Sequence, residues 1–433
     1  MRTVLKSGSF AAVLAGVVLT MSLSAPGVQA AGKPTPATGP FPGRALPAGT
    51  AALSGFSILY GVFCPSAKDC WAVGQRSRGG QLANLVLHWN GKSWSESSAP
   101  NPSQADDELF NVRCLSTKDC WAVGQYLKGN AWLAEALHWT GRKWISTKVP
   151  AYGGTGNNDV TELFDSTCTA SDSCWAVGNF GIGETPPKKL LNLILHWNGK
   201  TWSKARTPNP AGTKLSDQNW LDAVRCVAPS DCNAAGAYGS VYTAKNIDLN
   251  QVLHWNGKLW SWIHVPNPAG TGKNKDNEVD ALACGAKTSC WGAGLAGTSR
   301  PTETYANQIL HWNGAKWTEA VVPNPGGTKM GDTNFLFGAT CDGSANCWAV
   351  GQYRNSHNAT VNEALHWNGR RWYYVSTPNP AGSDALDNNQ LYQVRCVSST
   401  DCWAVGSQEP YPSETNMAEI LHWNGKKWTV SPS

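Results

Sequence analysis

Short stretches in which apolar and polar or small side chains alternate follow one another along most of the chain. Residues 109–114, 120–126 and 134–139 show this alternation, and a fourth stretch, 144–149, follows a turn. A period of two is typical of β-strands that bury one face. These four stretches therefore predict one antiparallel sheet, with turns after its first and third strands and a polar loop after its second.

The same unit occurs seven times, with a period of 50 to 58 residues. Each copy has a His-Trp pair in its third stretch and a second Trp five residues after the first. One such sheet leaves both faces exposed, whereas sheets arranged radially cover one another. The repeats predict an all-β fold, a seven-bladed β-propeller with four antiparallel strands per blade, over residues 56–433. We expect each blade to be one contiguous repeat, so that the ring closes by packing between blades. The paired histidines are His88, His138, His196, His254, His311, His366 and His422.

Two turn sequences punctuate the repeats. Asn-Gly follows the His-Trp pair in six of them, and we expect a type I′ turn because both residues tolerate a positive φ. Pro-Asn-Pro follows the fourth strand in five of them. Proline has no N–H group to extend a sheet, so the chain is expected to leave the sheet there.

The N-terminal segment has a different pattern. Arg2 and Lys6 precede an apolar stretch, which is followed by a small-x-small sequence ending at Ala30. This predicts a secretory signal peptide, residues 1–30, rather than an uncleaved membrane anchor. Residues 31–55 are rich in Pro and are expected to be a linker. No later stretch is long and apolar enough for a membrane span, so we expect a secreted, extracellular protein.

The 14 cysteines fall into seven pairs, each with five residues between its members. In an exported chain such pairs predict disulfides, one per blade. Metal is the alternative, but this spacing without further ligands is unusual for zinc, and no metal is expected. Each pair flanks the turn between strands one and two, where opposed Cα atoms lie ~4.5–5.5 Å apart. The pairs are Cys64 and Cys70, Cys114 and Cys120, Cys168 and Cys174, Cys226 and Cys232, Cys284 and Cys290, Cys341 and Cys347, and Cys396 and Cys402.

Composition excludes several classes of protein. Hydrophobic residues make up 41% of the chain and charged residues 15%, which is too apolar for a disordered protein. After the signal peptide, 33 basic residues stand against 30 acidic ones, a surplus too small for a nucleic-acid-binding face.

Gly-x-Ser-x-Gly, His-Glu-x-x-His and P-loop sequences are missing, and no cysteine is left over as a nucleophile. A non-enzymatic binding module without a cofactor is therefore favoured.

The repeated residues are interpreted as structural, because an active site normally occurs once in a protein. We expect the seven histidines to pack within their blades and to bond backbone groups at the start of the Asn-Gly turn. The repeated tryptophans are interpreted in the same way. Function is then expected where the repeats differ from one another.

Repeats four and five differ most from the others. Five repeats carry an aromatic residue four positions before the first cysteine, whereas these two carry Asp222 and Asp280; Asn233 replaces the usual Trp of the second strand. We expect the two carboxylates to face similar directions across the wall between these blades, as an acid/base pair, a cation site or a docking site for a basic ligand near the channel mouth. Alternatively, Arg225, a backbone amide or water satisfies each carboxylate, and Trp220 fills the lost aromatic volume.

Acidic and amide residues also cluster at the start of each first strand. If the first strands are innermost, these residues surround one mouth of the central channel and concentrate negative potential there. The alternative is ordinary loop capping by Asp and Asn. The residues are Asp106, Asp107, Glu108, Asp159, Glu162, Asp217, Asn219, Asp276, Glu278, Asp332, Asn334, Asp387 and Asn389.

The loops between strands two and three carry aromatic residues, among them Trp132, Tyr238 and Tyr305. Aromatic rings beside amide and acid groups suit sugars, whose C–H faces stack while their hydroxyls form hydrogen bonds. The alternative is that these are ordinary surface side chains.

The strings CWAVG and LHWNGKxW resemble the kelch pattern and, more closely, the repeats of secreted actinobacterial β-propellers. The layout of signal peptide, linker and seven blades also resembles the lectin-like propeller subunit of umbrella toxin particles. That resemblance implies a surface-binding lobe to which a small partner protein docks within an extracellular antibacterial complex. We therefore expect binding of a cell-surface glycan, of a secreted protein partner at the acidic channel mouth, or of both. Nucleic-acid binding and a membrane span are not expected. The alternative is a secreted carbohydrate-active hydrolase or lyase.

Overall fold

The computed structural model describes residues 55–103, 105–182, 189–239, 246–299, 303–413 and 415–431. The predicted signal peptide and residues 31–54 of the predicted linker lie outside this part. Within it, 28 strands form seven four-stranded antiparallel blades. Blades 1 to 4 consist of β1 (Ser57–Ser66), β2 (Asp69–Arg78), β3 (Gln81–Trp89), β4 (Trp94–Glu96), β5 (Asp107–Ser116), β6 (Asp119–Lys128), β7 (Ala131–Trp139), β8 (Trp144–Thr147), β9 (Val160–Ala170), β10 (Ser173–Gly181), β11 (Leu190–Trp197), β12 (Trp202–Lys204), β13 (Gln218–Ala228), β14 (Asp231–Gly239), β15 (Asp248–Trp255) and β16 (Trp260–Ile263). Blades 5 to 7 consist of β17 (Lys275–Ala286), β18 (Ser289–Thr298), β19 (Thr304–Trp312), β20 (Trp317–Glu319), β21 (Asn334–Cys341), β22 (Cys347–Arg354), β23 (Thr360–Trp367), β24 (Trp372–Tyr374), β25 (Asn388–Ser398), β26 (Asp401–Glu409), β27 (Met417–Trp423) and β28 (Trp428–Val430).

The first strand of every blade is innermost, and these strands contact one another around a closed ring. The ring closes where β1 packs against β25 and β26 of blade 7. Ser57 joins this boundary, because its N–H donates to the carbonyl of Asn416 at 2.9 Å and its Oγ accepts from the N–H of Ala418 at 3.0 Å. The predicted propeller is confirmed, with each blade built from one contiguous repeat.

The hydrophobic core lies between blades. Alternate residues of each second strand face the two neighbouring blades, so that one strand contributes to the core on both sides of its blade. Trp121 and Val123 pack against blade 3, whereas Ala122 packs against blade 1. Trp121 also meets Trp202 of blade 3 edge to face, with ring centroids 5.1 Å apart. Such an aromatic pair contributes about 0.5–1.5 kcal/mol beyond the area that it buries. This contact recurs at other blade boundaries, and it explains the repeated tryptophans.

All seven predicted disulfides are present, one in each blade. Their Cα atoms lie 3.9–4.1 Å apart, closer than expected for opposed strands. Each closes a short loop, which limits the entropic stabilisation to about 2 kcal/mol per bridge.

The Asn-Gly turns differ from the predicted type I′. Gly91 has a φ of 90°, but Asn90 has no positive φ. Instead, Oδ1 of Asn90 accepts hydrogen bonds from the N–H groups of Lys92 and Ser93, at 2.9 and 3.1 Å. The other five Asn-Gly turns have the same two bonds. Asn therefore occurs here because its side chain caps a four-residue loop.

Candidate binding site in the central channel

Each first strand has a β-bulge at the same place, and the bulged residue lies at the channel. In blade 5, Val279 pairs with Gly294 and Ala281 with Ala293, so that Asp280 is the extra residue. In the other six blades the equivalent residue also has no partner in the pairing of the first and second strands. A bulge of this kind bends the strand and redirects the side chain of the extra residue. The bulged residues form what we call the mid-channel ring: Tyr60, Phe110, Phe164, Asp222, Asp280, Phe337 and Tyr392.

A glycine of the second strand lies opposite each bulge because the backbones approach closely there. A Cβ atom added to Gly294 would lie 1.9 Å from the carbonyl oxygen of Glu278, and one added to Gly124 would lie 1.9 Å from that of Glu108. The other five blades show the same conflict. No side chain fits at this position, so glycine is present even in blades 4 and 5, where the residues around it change.

Five members of the mid-channel ring form a continuous arc of aromatic side chains. Neighbouring ring centroids along the arc lie 5.2–5.8 Å apart. Blades 4 and 5 interrupt the arc with Asp222 and Asp280. The arc runs in the order Phe164, Phe110, Tyr60, Tyr392 and Phe337.

Asp222 and Asp280 are neighbours with no cationic partner among the described residues. Oδ2 of Asp222 and both carboxyl oxygens of Asp280 are buried without a hydrogen-bond partner in this part of the chain. Burial raises the pKa of Asp280 to about 8. Burial and the nearby charge of Asp280 raise the pKa of Asp222 well above its ordinary value. Arg225, considered above as a partner for these carboxyls, instead binds Asp165.

Three glutamates lie two residues before the mid-channel ring and define the acidic end of the channel: Glu108, Glu162 and Glu278. Burial raises the pKa of Glu108 to about 8 and that of Glu162 to about 7. Burial, followed by the charge of Asp280, raises the pKa of Glu278 well above its ordinary value. None of the three forms an ion pair with another described residue. Within the described ranges, no group of three or more His, Cys, Asp or Glu side chains is arranged to hold a metal ion.

Other acidic residues near the starts of first strands cap loops instead. Oδ2 of Asp217 accepts a hydrogen bond from the N–H of Lys214 at 2.7 Å, and Oδ2 of Asp332 accepts one from Lys329 at 2.7 Å. Asp159 and Asp387 bind loop N–H groups in the same way. The amides of three asparagines hold the preceding loop: Asn219, Asn334 and Asn389. Both predicted roles therefore occur at this end of the channel: the glutamates belong to the acidic end, and these Asp and Asn residues cap loops.

Asn233 and Trp220 do not join the carboxyl pair. Asn233 shares a strand face with Ala235, which packs against blade 5. It is therefore in the wall between blades 4 and 5 rather than in the channel. Trp220 is buried against Leu190 and Ala237 and does not fill the aromatic position that is lost in blade 4.

The three aromatics predicted to bind sugars from loops lie in strands instead, Trp132 in β7, Tyr238 in β14 and Tyr305 in β19, because the second and third strands extend further than the sequence pattern indicated. They are distributed over different blades. Tyr305 is buried, and its hydroxyl donates to Oδ2 of Asp276 at 2.9 Å. Trp132 is half-buried beside β9 of the next blade. Tyr238 is half-buried and packs edge to face on Trp262, which is 46% exposed. Tyr238 and Trp262 therefore form the most accessible aromatic pair in this set.

The repeated histidines make structural contacts, as predicted, but with a different partner. His138 stacks on Trp121 with ring centroids 4.4 Å apart. Its Nε2 lies 2.8 Å from Oδ1 of Asp119, a side chain rather than the expected backbone group. In every blade the partner is the residue before the second cysteine: Asp69, Asp119, Ser173, Asp231, Ser289, Asn346 or Asp401.

No helix in the described part of the chain is long and apolar enough to span a membrane.

Comparison with known proteins shows the fold and leaves the chemistry open. No protein-family model and no curated protein matches the chain. A solved PL25 ulvan lyase superposes with a TM-score of 0.54 at 9% identity, covering 84% of this chain and 91% of that one. YCF48 bound to a D1 peptide gives a TM-score of 0.46 at 12% identity, covering 86% of this chain and 94% of that one. The GH74 xyloglucanase of Xanthomonas campestris gives 0.49 at 14% identity, covering 89% of this chain and 56% of that one. At such identities the likeness to the ulvan lyase shows the β-propeller fold alone.

Proposed function

We propose that this protein is a secreted, non-enzymatic binding module whose channel takes up a cationic group of a partner. The observation that supports this most strongly is the carboxyl pair of Asp222 and Asp280, of whose four oxygen atoms three are buried without a hydrogen-bond partner among the described residues. Leaving a buried polar group without a hydrogen bond costs about 1–3 kcal/mol. An ammonium or guanidinium group between the two side chains would supply both the missing hydrogen bonds and the missing charge.

The mid-channel ring suits a lysine or arginine side chain in particular. Its carboxyl members would bind the charged head, while the aromatic arc from Phe164 to Phe337 would contact the aliphatic stem. Aromatic faces also attract cations, by about 0.5–2 kcal/mol depending on exposure. Glu278, close to the pair, is a further carboxyl whose pKa is raised by burial and by the charge of Asp280, and a bound cation would favour its ionised form as well. A partner with an exposed basic segment therefore fits this end of the channel.

Cation binding at this site is linked to loss of protons. Because burial raises the pKa of Asp280 to about 8, this carboxyl is mainly protonated at pH 7, and the pKa of Asp222 is also raised well above its ordinary value. A bound cation stabilises the ionised form, so it displaces a proton. Affinity should therefore increase as the pH rises from 6 to 8.5.

The resemblance to the lectin-like propeller subunit of umbrella toxin particles suggests which partner this is. In that interpretation a small secreted protein docks its basic segment in the channel and joins the propeller to a larger antibacterial complex. A cell-surface glycan would bind elsewhere, and the exposed Tyr238–Trp262 pair of blade 4 offers it a stacking surface. Isolation of the native secreted protein tests this assignment: a co-purifying basic partner supports it, and a lone chain that binds glycans supports a lectin acting alone.

The experiment for the channel compares wild type with an Asp222→Asn/Asp280→Asn double variant. Hexalysine serves as the probe, at pH 8 and at two salt concentrations. We expect at least tenfold weaker binding by the double variant and weaker binding at higher salt. A charge-matched control, Asp172→Asn/Glu319→Gln, removes two exposed carboxylates and should bind as wild type does. Equal affinity of all three proteins would exclude the channel as the site.

A second candidate is a carbohydrate-active hydrolase or lyase, and one observation favours it. With a pKa of about 8, Asp280 can donate a proton at neutral pH, beside a second carboxyl. Incubation with a panel of polysaccharides would test this, with new reducing ends or unsaturated products as the readout. Product formation that is lost in Asp280→Asn would replace the binding proposal with an enzymatic one.

A further inference from the structure

We infer that the end of the channel opposite the acidic end is a binding site for an oxyanion, formed by Arg113, Arg225 and Arg395. Each arginine directly precedes the first cysteine of its blade, in blades 2, 4 and 7. The three side chains line one cavity of about 190 Å³, together with Phe63 and Thr167. We call this cavity the arginine pocket.

The arginine pocket holds more positive than negative charge. Nη1 of Arg225 lies 2.5 Å from Oδ2 of Asp165, which neutralises that guanidinium. The same Asp165 carboxylate also attracts Arg113, but neither Arg113 nor Arg395 forms an ion pair with a described residue. Asp342 lies near Arg395 but is exposed, so solvent screens its charge. The pocket therefore retains about two uncompensated positive charges.

Two of the guanidinium groups converge on one aromatic ring. The Cζ atoms of Arg113 and Arg395 lie 5.1 and 4.3 Å from the centroid of Phe63. The Nε atoms of both arginines are buried and have no hydrogen-bond partner in the described part of the chain. Burial, followed by the nearby charge of Arg113, lowers the pKa of Arg395 to about 10. Two like charges held beside one ring are costly unless a counterion joins them.

The geometry of guanidinium groups selects the chemistry of the ligand. Arginine binds carboxylate, sulfate or phosphate through paired N–H donors. The Thr167 and Thr340 side chains line the same cavity and add polar groups. A volume of about 190 Å³ admits one oxyanionic group with a few attached atoms, since a water molecule occupies about 30 Å³. The ligand is therefore a small oxyanion or a single acidic group of a larger molecule.

This site is separate from the acidic end. Glu108 and Arg113 are five positions apart on β5, which corresponds to about 16 Å at ~3.3 Å per residue. The other glutamates and arginines occupy these same two positions on different inner strands. The two ends of the channel thus carry opposite charge, and the oxyanion site does not depend on the cation site proposed above.

Isothermal titration calorimetry of the secreted protein tests the oxyanion site. Sulfate, phosphate and glucuronate are titrated at constant ionic strength, with glucose as the neutral control. We expect saturable binding of the anions at one site per chain and none of glucose. Arg113→Gln and Arg395→Gln should each weaken binding at least tenfold, while Arg142→Gln, on an exposed turn, should not. Binding of sulfate and phosphate alone points to a tetrahedral anion, and tighter binding of glucuronate points to an acidic sugar.

The arginines also pack on Phe63, so the variants could lose stability for that reason alone. Melting temperature in millimolar sulfate, compared with chloride at equal ionic strength, separates the two effects. Wild type should melt at a higher temperature in sulfate, because a ligand of the folded state stabilises it. The two arginine variants should lose this difference, and Arg142→Gln should keep it. The proposal is overturned if wild type shows neither saturable heat nor a sulfate-specific shift, or if the arginine variants bind like wild type.

Discussion

Nδ2 of Asn192 donates a hydrogen bond to Oε1 of Gln251 at 2.9 Å, and Nε2 of Gln251 donates one back to Oδ1 of Asn192 at 3.1 Å. This reciprocal pair joins the third strands of blades 3 and 4. Every blade boundary has a pair of side chains at this position. Five of these pairs are polar and two are apolar. The other polar pairs are Asn250–Gln308, Asn84–Glu135, Asn307–Glu363 and Asn362–Glu419, and the two apolar ones are Ala134–Leu193 and Ala418–Leu85.

We infer that the glutamates of these pairs are protonated and take the place that glutamine has in the Asn–Gln pairs. Nδ2 of Asn307 donates to Oε1 of Glu363 at 2.5 Å, but Oδ1 of Asn307 and Oε2 of Glu363 are buried without partners. Burial raises the pKa of Glu363 well above its ordinary value. A protonated carboxyl has an O–H group that can donate to Oδ1 of Asn307, as Nε2 of Gln308 does to Asn250.

The first prediction is that Glu363→Gln stabilises the protein at alkaline but not at acidic pH. Because the folded-state pKa is raised, the stability that this group contributes is fully present below its unfolded-state pKa, ~4.3, and is lost as the pH rises through the folded-state pKa. The substitution should raise the free energy of unfolding at pH 8 by at least about 1.4 kcal/mol, the free energy that corresponds to one pKa unit, and leave it unchanged at pH 4. Urea denaturation from pH 4 to 9 measures this.

Glu319→Gln, on an exposed edge, is the control for that series and should leave the pH dependence as it is. Identical pH profiles for wild type and Glu363→Gln would show that Glu363 is ionised in the folded protein.

The second prediction concerns the glycines that face the bulges. A Cβ atom at position 351 would lie 1.8 Å from the carbonyl oxygen of Phe335, and backbone rather than a flexible side chain would have to move. Gly351→Ala should therefore cost about 3 kcal/mol or more in the free energy of unfolding. Gly272→Ala, where the nearest atom is Cγ of Lys275 at 4.0 Å, should cost little. Equal stability of both variants would mean that the bulge relaxes without cost.

The third prediction separates two histidines of the repeated series. His138→Ala removes the Trp121 stack and a bond to the Asp119 carboxylate, and should cost about 1–2 kcal/mol. His196→Ala should cost less, because the Nε2 atom of His196 lies 3.4 Å from a neutral hydroxyl, that of Ser173. Thermal unfolding measures both, and hexalysine binding should be unchanged in each. Loss of binding without loss of stability would assign these histidines to the site instead.

The sequence was sufficient to predict the propeller and its disulfides because each signal occurs seven times. A single Cys-x5-Cys sequence could be a disulfide or part of a metal site, but seven such pairs that use every cysteine of the chain indicate disulfides. The position of Asp222 next to Asp280 also followed from the repeat, since equivalent residues of adjacent blades are neighbours. The prediction of type I′ turns was wrong because the loop is held by hydrogen bonds to the Asn side chain and does not require a positive φ at Asn.

The bulges and the arginine pocket were missed for physical reasons. A bulge shifts the strand register without changing the alternation of residues enough to be seen, although the glycine in every repeat marks it. Arg113, Arg225 and Arg395 occupy ordinary positions in strands that are far apart in the sequence. Only closure of the ring brings them to one cavity. The Asn–Glu and Asn–Gln pairs likewise depend on contacts between repeats.

The central claim is that the carboxyl pair in the channel binds a cation and gives up protons when it does so. The most direct measurement is hexalysine binding to the protein between pH 6 and 8.5, by calorimetry in two buffers of different ionisation enthalpy. We predict an affinity that rises with pH and release of about one proton per peptide at pH 7, both lost in Asp222→Asn/Asp280→Asn. Affinity that is independent of pH, without proton release and unchanged in the double variant, would contradict the claim.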